Sequence, residues 1–154
     1  MATTPEPTRD SFAASQATAE VVREYGPFPG ADRVNGVTFD GQHVWYASGD
    51  RLSSFEPSSG EPVRAIEVAA HAGTAFDGRY LYQLADDRIQ KIEPQTGSVI
   101  STIPAPGQGR DSGMAWAEGT LWVGEYRSRK IHPRSARRRR CSPGTPGTPR
   151  GSPA

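Results

Sequence analysis

Cysteine is nearly missing from this chain: Cys141 is the only one in 154 residues. A disulfide framework or a cysteine-based zinc site cannot be assembled within it. Histidine is scarce as well, and His43, His71 and His132 show none of the short spacings by which metal ligands share one element. No metal or cofactor is therefore expected. A phosphate-binding Gly-Lys-Ser/Thr loop and a Gly-x-Ser-x-Gly nucleophile turn are both lacking. So is any run near the ~20 apolar residues that span a bilayer. The first residues have neither the basic start nor the apolar stretch of a secretory signal. A cytoplasmic chain without a membrane partner is the expectation.

A helical stripe is also wanting. Turn residues recur every few positions, and no apolar series follows a 3.6-residue period. What is present is a repeat. The stretch Ala72 to Pro106 matches the sequence 37 positions before it and again 40 positions after it. Gly36, Gly73 and Gly113 coincide, as do Phe39, Phe76 and Trp116, and then Trp45, Tyr82 and Trp122. Pro57 and Gly60 match Pro94 and Gly97. Self-similarity at a few tens of residues marks a solenoid, a propeller or an array.

Each copy reads as four short strands. In the second they fall at Gly73 to Phe76, Tyr80 to Ala85, Arg88 to Ile92 and Ser98 to Ile103, divided by Asp-Gly, Asp-Asp and Pro-Gln-Thr-Gly turns. The second strand of every copy is apolar almost throughout: Val44 to Ala47, Leu81 to Leu84, Leu121 to Gly124. A strand covered on one face alternates, whereas one covered on both need not. Sheets covered on both faces within an all-β repeat fit blades stacked around an axis, a β-propeller, better than the competing β-sandwich. The three recurring rings at Trp45, Tyr82 and Trp122 are then packing residues between blades.

The expected fold is thus all-β, an incomplete β-propeller of about two and a half four-stranded antiparallel blades with disordered ends. Residues 1–19 form a leader rich in Thr, Ala, Ser and Pro. Residues 20–25 (EVVREY) look like a fourth strand without its first three, since Glu20 precedes Gly36 by the 16 residues that separate Gly97 from Gly113. Blades follow at 34–70 and 71–106, with a partial blade at 111–132. The stretch 133–154 breaks the pattern. It is rich in Arg, Pro and Gly and holds six arginines, no acid and no large apolar side chain, so it reads as disordered.

Charge divides at the same point. Residues 1–132 hold 12 Lys plus Arg against 17 Asp plus Glu, a balance of −5, while 133–154 carry +6. The basic end suits an acidic surface or phosphates, but no aromatic interleaves its arginines to stack on bases, and nucleic acid is not the expected partner. Arg, Pro, Gly, Ser and Ala are what GC-rich codons give in a shifted frame, so the tail reads as a repeat translated out of frame. Open blade edges and faces in such a chain favour self-association.

Propeller topology then locates a candidate site. With the first strand of each blade innermost, the loops entering it and the loops between second and third strands open on one face around the channel. The entering loops bring Arg33, Asn35, His71, Arg110, Asp111 and Ser112, and the other loops bring Asp50, Arg51, Asp86, Asp87, Glu125 and Arg127. A peptide or a small molecule is the ligand expected at this polar face, bound through Arg33, Asn35, His71, Arg110, Asp111 and Glu125.

The segments AGTAFDG (Ala72 to Gly78), LYQL (Leu81 to Leu84) and Gly113 to Trp122 resemble the bacterial and plant-type glutamine cyclotransferases. They are also similar to quinoprotein-like, streptogramin-lyase-like and lactonase-like propellers, which share Asp-Pro-x-Thr-Gly turns; here the turns read Glu-Pro-Ser-Ser-Gly and Glu-Pro-Gln-Thr-Gly. The resemblance covers about Glu20 to His132 and implies a propeller that converts N-terminal glutamine to pyroglutamate, an acyl transfer. The cyclotransferase segment Gly-Glu-Gly-Leu-Thr would put a carboxylate at Ala72; in the third copy the acid, Asp111, stands one place further back. His71 and Asp111 are the acid/base candidates that remain. The resemblance thus implies a cyclotransferase-like fragment that lacks activity as this chain. The alternatives are a non-catalytic module that binds a peptide or protein partner, and a lactonase- or lyase-like propeller. Translating the gene from His132 in its other two frames should yield Pro-x-x-Gly followed by an apolar strand; two frames without it would refute the shifted-frame origin of the tail.

Overall fold

The computed structural model describes residues 18–136, and the leader and the arginine-rich end fall largely outside that range. Within it the chain forms ten strands and no helix. Three antiparallel sheets follow in chain order, one per repeat. The first sheet holds β1 (Gly36–Phe39), β2 (Val44–Phe55) and β3 (Pro62–Ala70). The second holds β4 (Thr74–Phe76), β5 (Leu81–Ala85), β6 (Arg88–Ile92) and β7 (Val99–Pro104). The third holds β8 (Asp111–Ala117), β9 (Thr120–Glu125) and β10 (Lys130–Ser135). Each is a meander, and the sheets stack face to face with their first strands, β1, β4 and β8, side by side on the inside. This is the blade arrangement of a β-propeller, seen as an open arc of three blades.

Turn chemistry builds each blade. Asp40 takes the backbone N–H groups of Gln42 and His43 on one carboxylate oxygen and the indole N–H of Trp45 on the other, the last at 2.7 Å. Asp77 does the same with the amides of Arg79 and Tyr80 and the hydroxyl of Tyr82. One carboxylate thus closes the first hairpin and fixes the large ring of the second strand. Burial opposes ionisation of Asp40, but the donors from His43, Trp45 and Gln42 outweigh it and hold its carboxyl below the usual range. Burial, with Asp77 beside it, pushes the Tyr82 phenol upward. At the outer rim, Gly60 and Gly97 close the Pro-containing turns onto the carbonyls of Glu56 and Glu93, at φ near +80° and +76°.

The rings then lock blade to blade. Trp45 sits in a cluster with Leu81 and Ile92 of the second blade, against Phe76. Tyr82 stacks on Trp116 of the third at 5.8 Å between centroids and 5° between planes. Such a pair adds about 1 kcal/mol beyond its buried area. Trp45 is 2% exposed and Tyr82 0%, but Trp122 is 40% exposed. The expected packing role therefore holds for two rings and fails for Trp122, because no blade follows to cover it among the described residues. For the same reason all five residues of β5, in the middle blade, are buried, while β9 buries only alternate positions.

Three further expectations need correction. Residues 20–25 form no strand in this chain; they pair with no sheet, and Arg23 and Tyr25 rest on the Pro57–Ser58 turn of the first blade. The first blade has three strands in place of four, because β2 continues through Gly49 and Asp50, its first part pairing with β1 and its second with β3 across a register shift at Gly49/Arg51. The third blade extends past His132, since β10 continues to Ser135 in register with Thr120. Backbone pairing is indifferent to side-chain composition, and Pro133 is tolerated because β10 is an edge strand.

Space at the inner strands explains the recurrent glycine. A Cβ on Gly36 would lie 2.7 Å from the Ala72 carbonyl oxygen, and one on Gly73 would lie 2.6 Å from the Met114 nitrogen. At Gly113 a Cβ would meet nothing within 4 Å. Gly73→Ala should therefore destabilise the chain by about 1–3 kcal/mol, whereas Gly113→Ala, which meets nothing within its own chain, should leave the thermal midpoint of the single chain near wild type. Equal midpoints for the two variants would contradict this packing.

Candidate functional site

The loops that enter the first strands meet the far ends of the second strands on one face; in the first blade that place is taken by Asp50 and Arg51, which lie within β2 and not in the expected loop. His71, in the loop between β3 and β4, is the pivot. Its Nδ1 lies 3.0 Å from an Asp86 carboxylate oxygen, and its Nε2 lies 3.6 Å from one of Asp50. A histidine of the second blade is thus shared by acids of the first and second blades. Both acids are mostly exposed and His71 is partly so, leaving the cluster open to a ligand.

A polar cleft of about 640 Å³ adjoins it, lined by Asp32, Arg33, Asn35, Asp50, Glu67 and His71 among others. Asn35 is held in place by the bond its side-chain amide donates to the Ala70 carbonyl at 3.1 Å. Arg51 is taken up by Glu67 at 2.8 Å. Arg33, by position, edges the cleft from the loop before β1.

Arg110, Asp111 and Glu125 form a second group at the third blade. The Arg110 Nε lies 3.4 Å from Glu125, and the other Glu125 oxygen lies 3.2 Å from His132 Nε2. Ser128 and His132, followed by Arg110, hold the Glu125 carboxyl below the usual range against the opposing effect of burial. Asp111 accepts the Gly107 amide on both oxygens, at 2.9 and 3.1 Å, and so secures the loop between β7 and β8. Ser112 gives its carbonyl to the Gly73 amide at 2.9 Å, tying third blade to second. Arg110, Asp111, Ser112 and Arg127 line a smaller cleft with Tyr126. The Asp87 carboxylate lies 3.6 Å from the guanidinium of its neighbour Arg88.

The proposed residues therefore fall into two clusters, His71 with the first and second blades and Glu125 with the third. The sequence reading missed His132 as a partner of Glu125, seven positions away, because only the β9–β10 register brings them together. It also missed Gln83, buried between blades, whose side-chain amide donates to the carbonyls of Ala72 at 3.0 Å and Leu84 at 2.9 Å while its oxygen accepts from Thr74. These bonds fix the loop that carries His71. Among the described residues no group of three or more His, Cys, Asp or Glu is arranged to hold a metal ion, and no helix is long and apolar enough to cross a membrane.

The class that this geometry defines is the β-propeller. No protein-family model and no curated protein sequence matches the chain. Among solved structures, it is similar to the glutaminyl cyclase of Myxococcus xanthus, at 22% identity and a TM-score of 0.50, over 60% of this chain and 41% of that one. It is also similar to the computationally designed Ika4 protein, at 15% identity and a TM-score of 0.50, over 66% of this chain and 65% of that one. The chain thus spans about two fifths of the length of the cyclase, and identities this low speak for the shared fold alone.

A carboxyl held below its unfolded-state value contributes stability that is present above that value and lost as pH falls through the folded one. Glu125 is such a group. Wild type should lose stability as pH drops below about 4.3, and Glu125→Gln should flatten that acid limb while lowering stability at pH 7. Urea unfolding across this range checks it; parallel limbs for the two proteins would contradict the role given to Glu125.

Proposed function

We propose that this chain is a glutaminyl-cyclase-like propeller segment whose loop face binds the amino terminus of a peptide. The observation that carries the reading is His71 poised between Asp50 and Asp86. Two exposed carboxylates within reach of one imidazole form a site for an alkylammonium group, with a hydrogen-bonding ring between them. The similarity in fold to the Myxococcus xanthus enzyme supports the same direction.

In glutaminyl cyclisation the terminal amine attacks the side-chain amide carbon, a C–N bond forms, the amide C–N bond breaks and ammonia leaves. One proton has to pass from the attacking nitrogen to the departing one. His71 is the group suited to carry it, since its ring is both oriented by Asp86 and open to the cleft. Asp111 suits the part less well, because both of its oxygens are engaged by the Gly107 amide.

The three blades supply one side of a channel, and a reacting amide needs polar groups around it to stabilise the developing oxyanion. We therefore assign the single chain peptide binding without turnover. An N-terminal glutaminyl peptide should bind with millimolar to micromolar affinity, weaken with added salt, and bind at least several-fold more weakly to His71→Ala. Calorimetry measures the binding and ammonia release measures the turnover. No binding at millimolar peptide, or equal binding by His71→Ala, would refute the site; ammonia release would refute the absence of turnover.

A further inference from the structure

The two outer faces of the arc are the two halves of an interface that the chain already makes twice. On the third blade, Ala115, Trp122 and Pro133 lie opposite one another across the register, and Gly113, Gly124 and Ile131 form the next row on the same face. These two rows carry no charge, and their positions are exposed apart from Gly124, which is partly so. On the first blade, Val37 and Phe39 of β1 are exposed, paired with Tyr46 and Val44. In the repeat, Phe39 corresponds to Phe76 and Trp116, the residues on which Trp45 and Tyr82 rest. The open space at Gly113 is what the backbone of another β1 would fill, as β4 fills it beside Gly36 and β8 beside Gly73.

The amino-terminal segment adds an independent observation. Arg64 of β3 donates to the carbonyl of Gln95, in the outer turn of the second blade, and Ile66 lies 3.2 Å from where a Cβ on Gly97 would stand. Arg23 donates to the carbonyl of Ser58, in the matching turn of the first blade, and Tyr25 lies 3.4 Å from where a Cβ on Gly60 would stand. Ser58 and Gly60 are the repeat equivalents of Gln95 and Gly97, and the two-residue spacing from Arg23 to Tyr25 is that from Arg64 to Ile66. Residues 23–25 thus hold, against the first blade, the place that the outermost strand of a preceding blade would hold. Between them and the β2–β3 face lies a cleft of about 350 Å³, lined by Phe28, Tyr46, Phe55 and Ala65 among others.

We propose that two copies of this chain associate head to tail, the third blade of each seating on the first blade of the other. Trp122 of one copy packs on Phe39 of the next, and β10, beyond which no strand lies among the described residues, pairs with the segment around residues 20–25 of that next copy. The segment brings Glu20 and Glu24 to a strand bearing Lys130 and Arg134, a favourable match of charge. Contacts of this heterologous kind close into a ring when the rotation allows. Two copies give six blades, inside the four to eight that propellers use, and three would give nine. The assembly does not depend on peptide binding at His71, and the absence of turnover argued above is that of a single three-blade chain.

Light scattering coupled to gel filtration tests it on the full chain. Wild type should run at twice the 16.6 kDa chain mass at micromolar concentration. Trp122→Glu and Phe39→Glu change exposed positions on opposite faces; each should keep its β-sheet circular dichroism and raise the dissociation constant on the order of 100-fold or more, running as a single chain. An equimolar mixture of the two retains one intact junction and should restore the two-chain species. Wild type running as a single chain, a two-chain species that survives in both variants, or a mixture that stays dissociated would each overturn the proposal.

Discussion

The contact between the backbones of successive inner strands is the constraint on which the rest of this structure depends. At Gly36 and Gly73 a hydrogen is all that fits between one blade and the next. That closeness lets the Gly73 amide reach the Ser112 carbonyl, and lets Trp45 and Tyr82 meet Phe76 and Trp116 of the following first strands. A repeat of this kind is stabilised by neighbour-to-neighbour burial more than by anything inside one unit. The middle blade, with neighbours on both sides, is accordingly the one whose second strand is buried throughout.

The same constraint places the functional groups. Since first strands crowd the axis, the loops that feed them open together on one face, which is why His71 and Asp50, from different blades, come within ion-pair distance. The loop before β4 is held by Gln83 and Thr74 in the dry space between blades, so the imidazole is presented from a rigid base. At the third blade, Glu125 is braced by Arg110 and His132. Acidic groups prevail around His71, which gives the face a sign that favours amines over carboxylates.

Much of this was legible in the sequence because the repeat preserved side chains whose roles are geometric. The glycine at 36, 73 and 113, the ring at 45, 82 and 122, and the Pro-x-x-Gly turns located sheets, inter-blade contacts and rim turns. Three things were illegible, each for a physical reason. Composition marked residues 133–135 as outside the fold, yet a strand needs only a backbone partner, and β9 supplies one. The spacing of residues 20–25 from Gly36 predicted a strand, but a strand needs a partner edge alongside, and the edge that this segment would complete, β10, lies two blades away. The exposure of Trp122 depends on what covers the third blade. At the candidate site, loop topology gathered residues that the fold sets on one face, but only the strand register and the pairing distances reveal that Asp111 is committed to Gly107 and that His132 belongs with Glu125.

The stacking of repeats as radial blades is tested most directly by proton–proton cross-relaxation in solution between residues of adjacent copies. The account predicts through-space cross-peaks linking the Tyr82 and Trp116 rings, and linking the Gly73 methylene to the Met114 amide. Cross-peaks confined within each repeat, with none at either of these pairs, would contradict it.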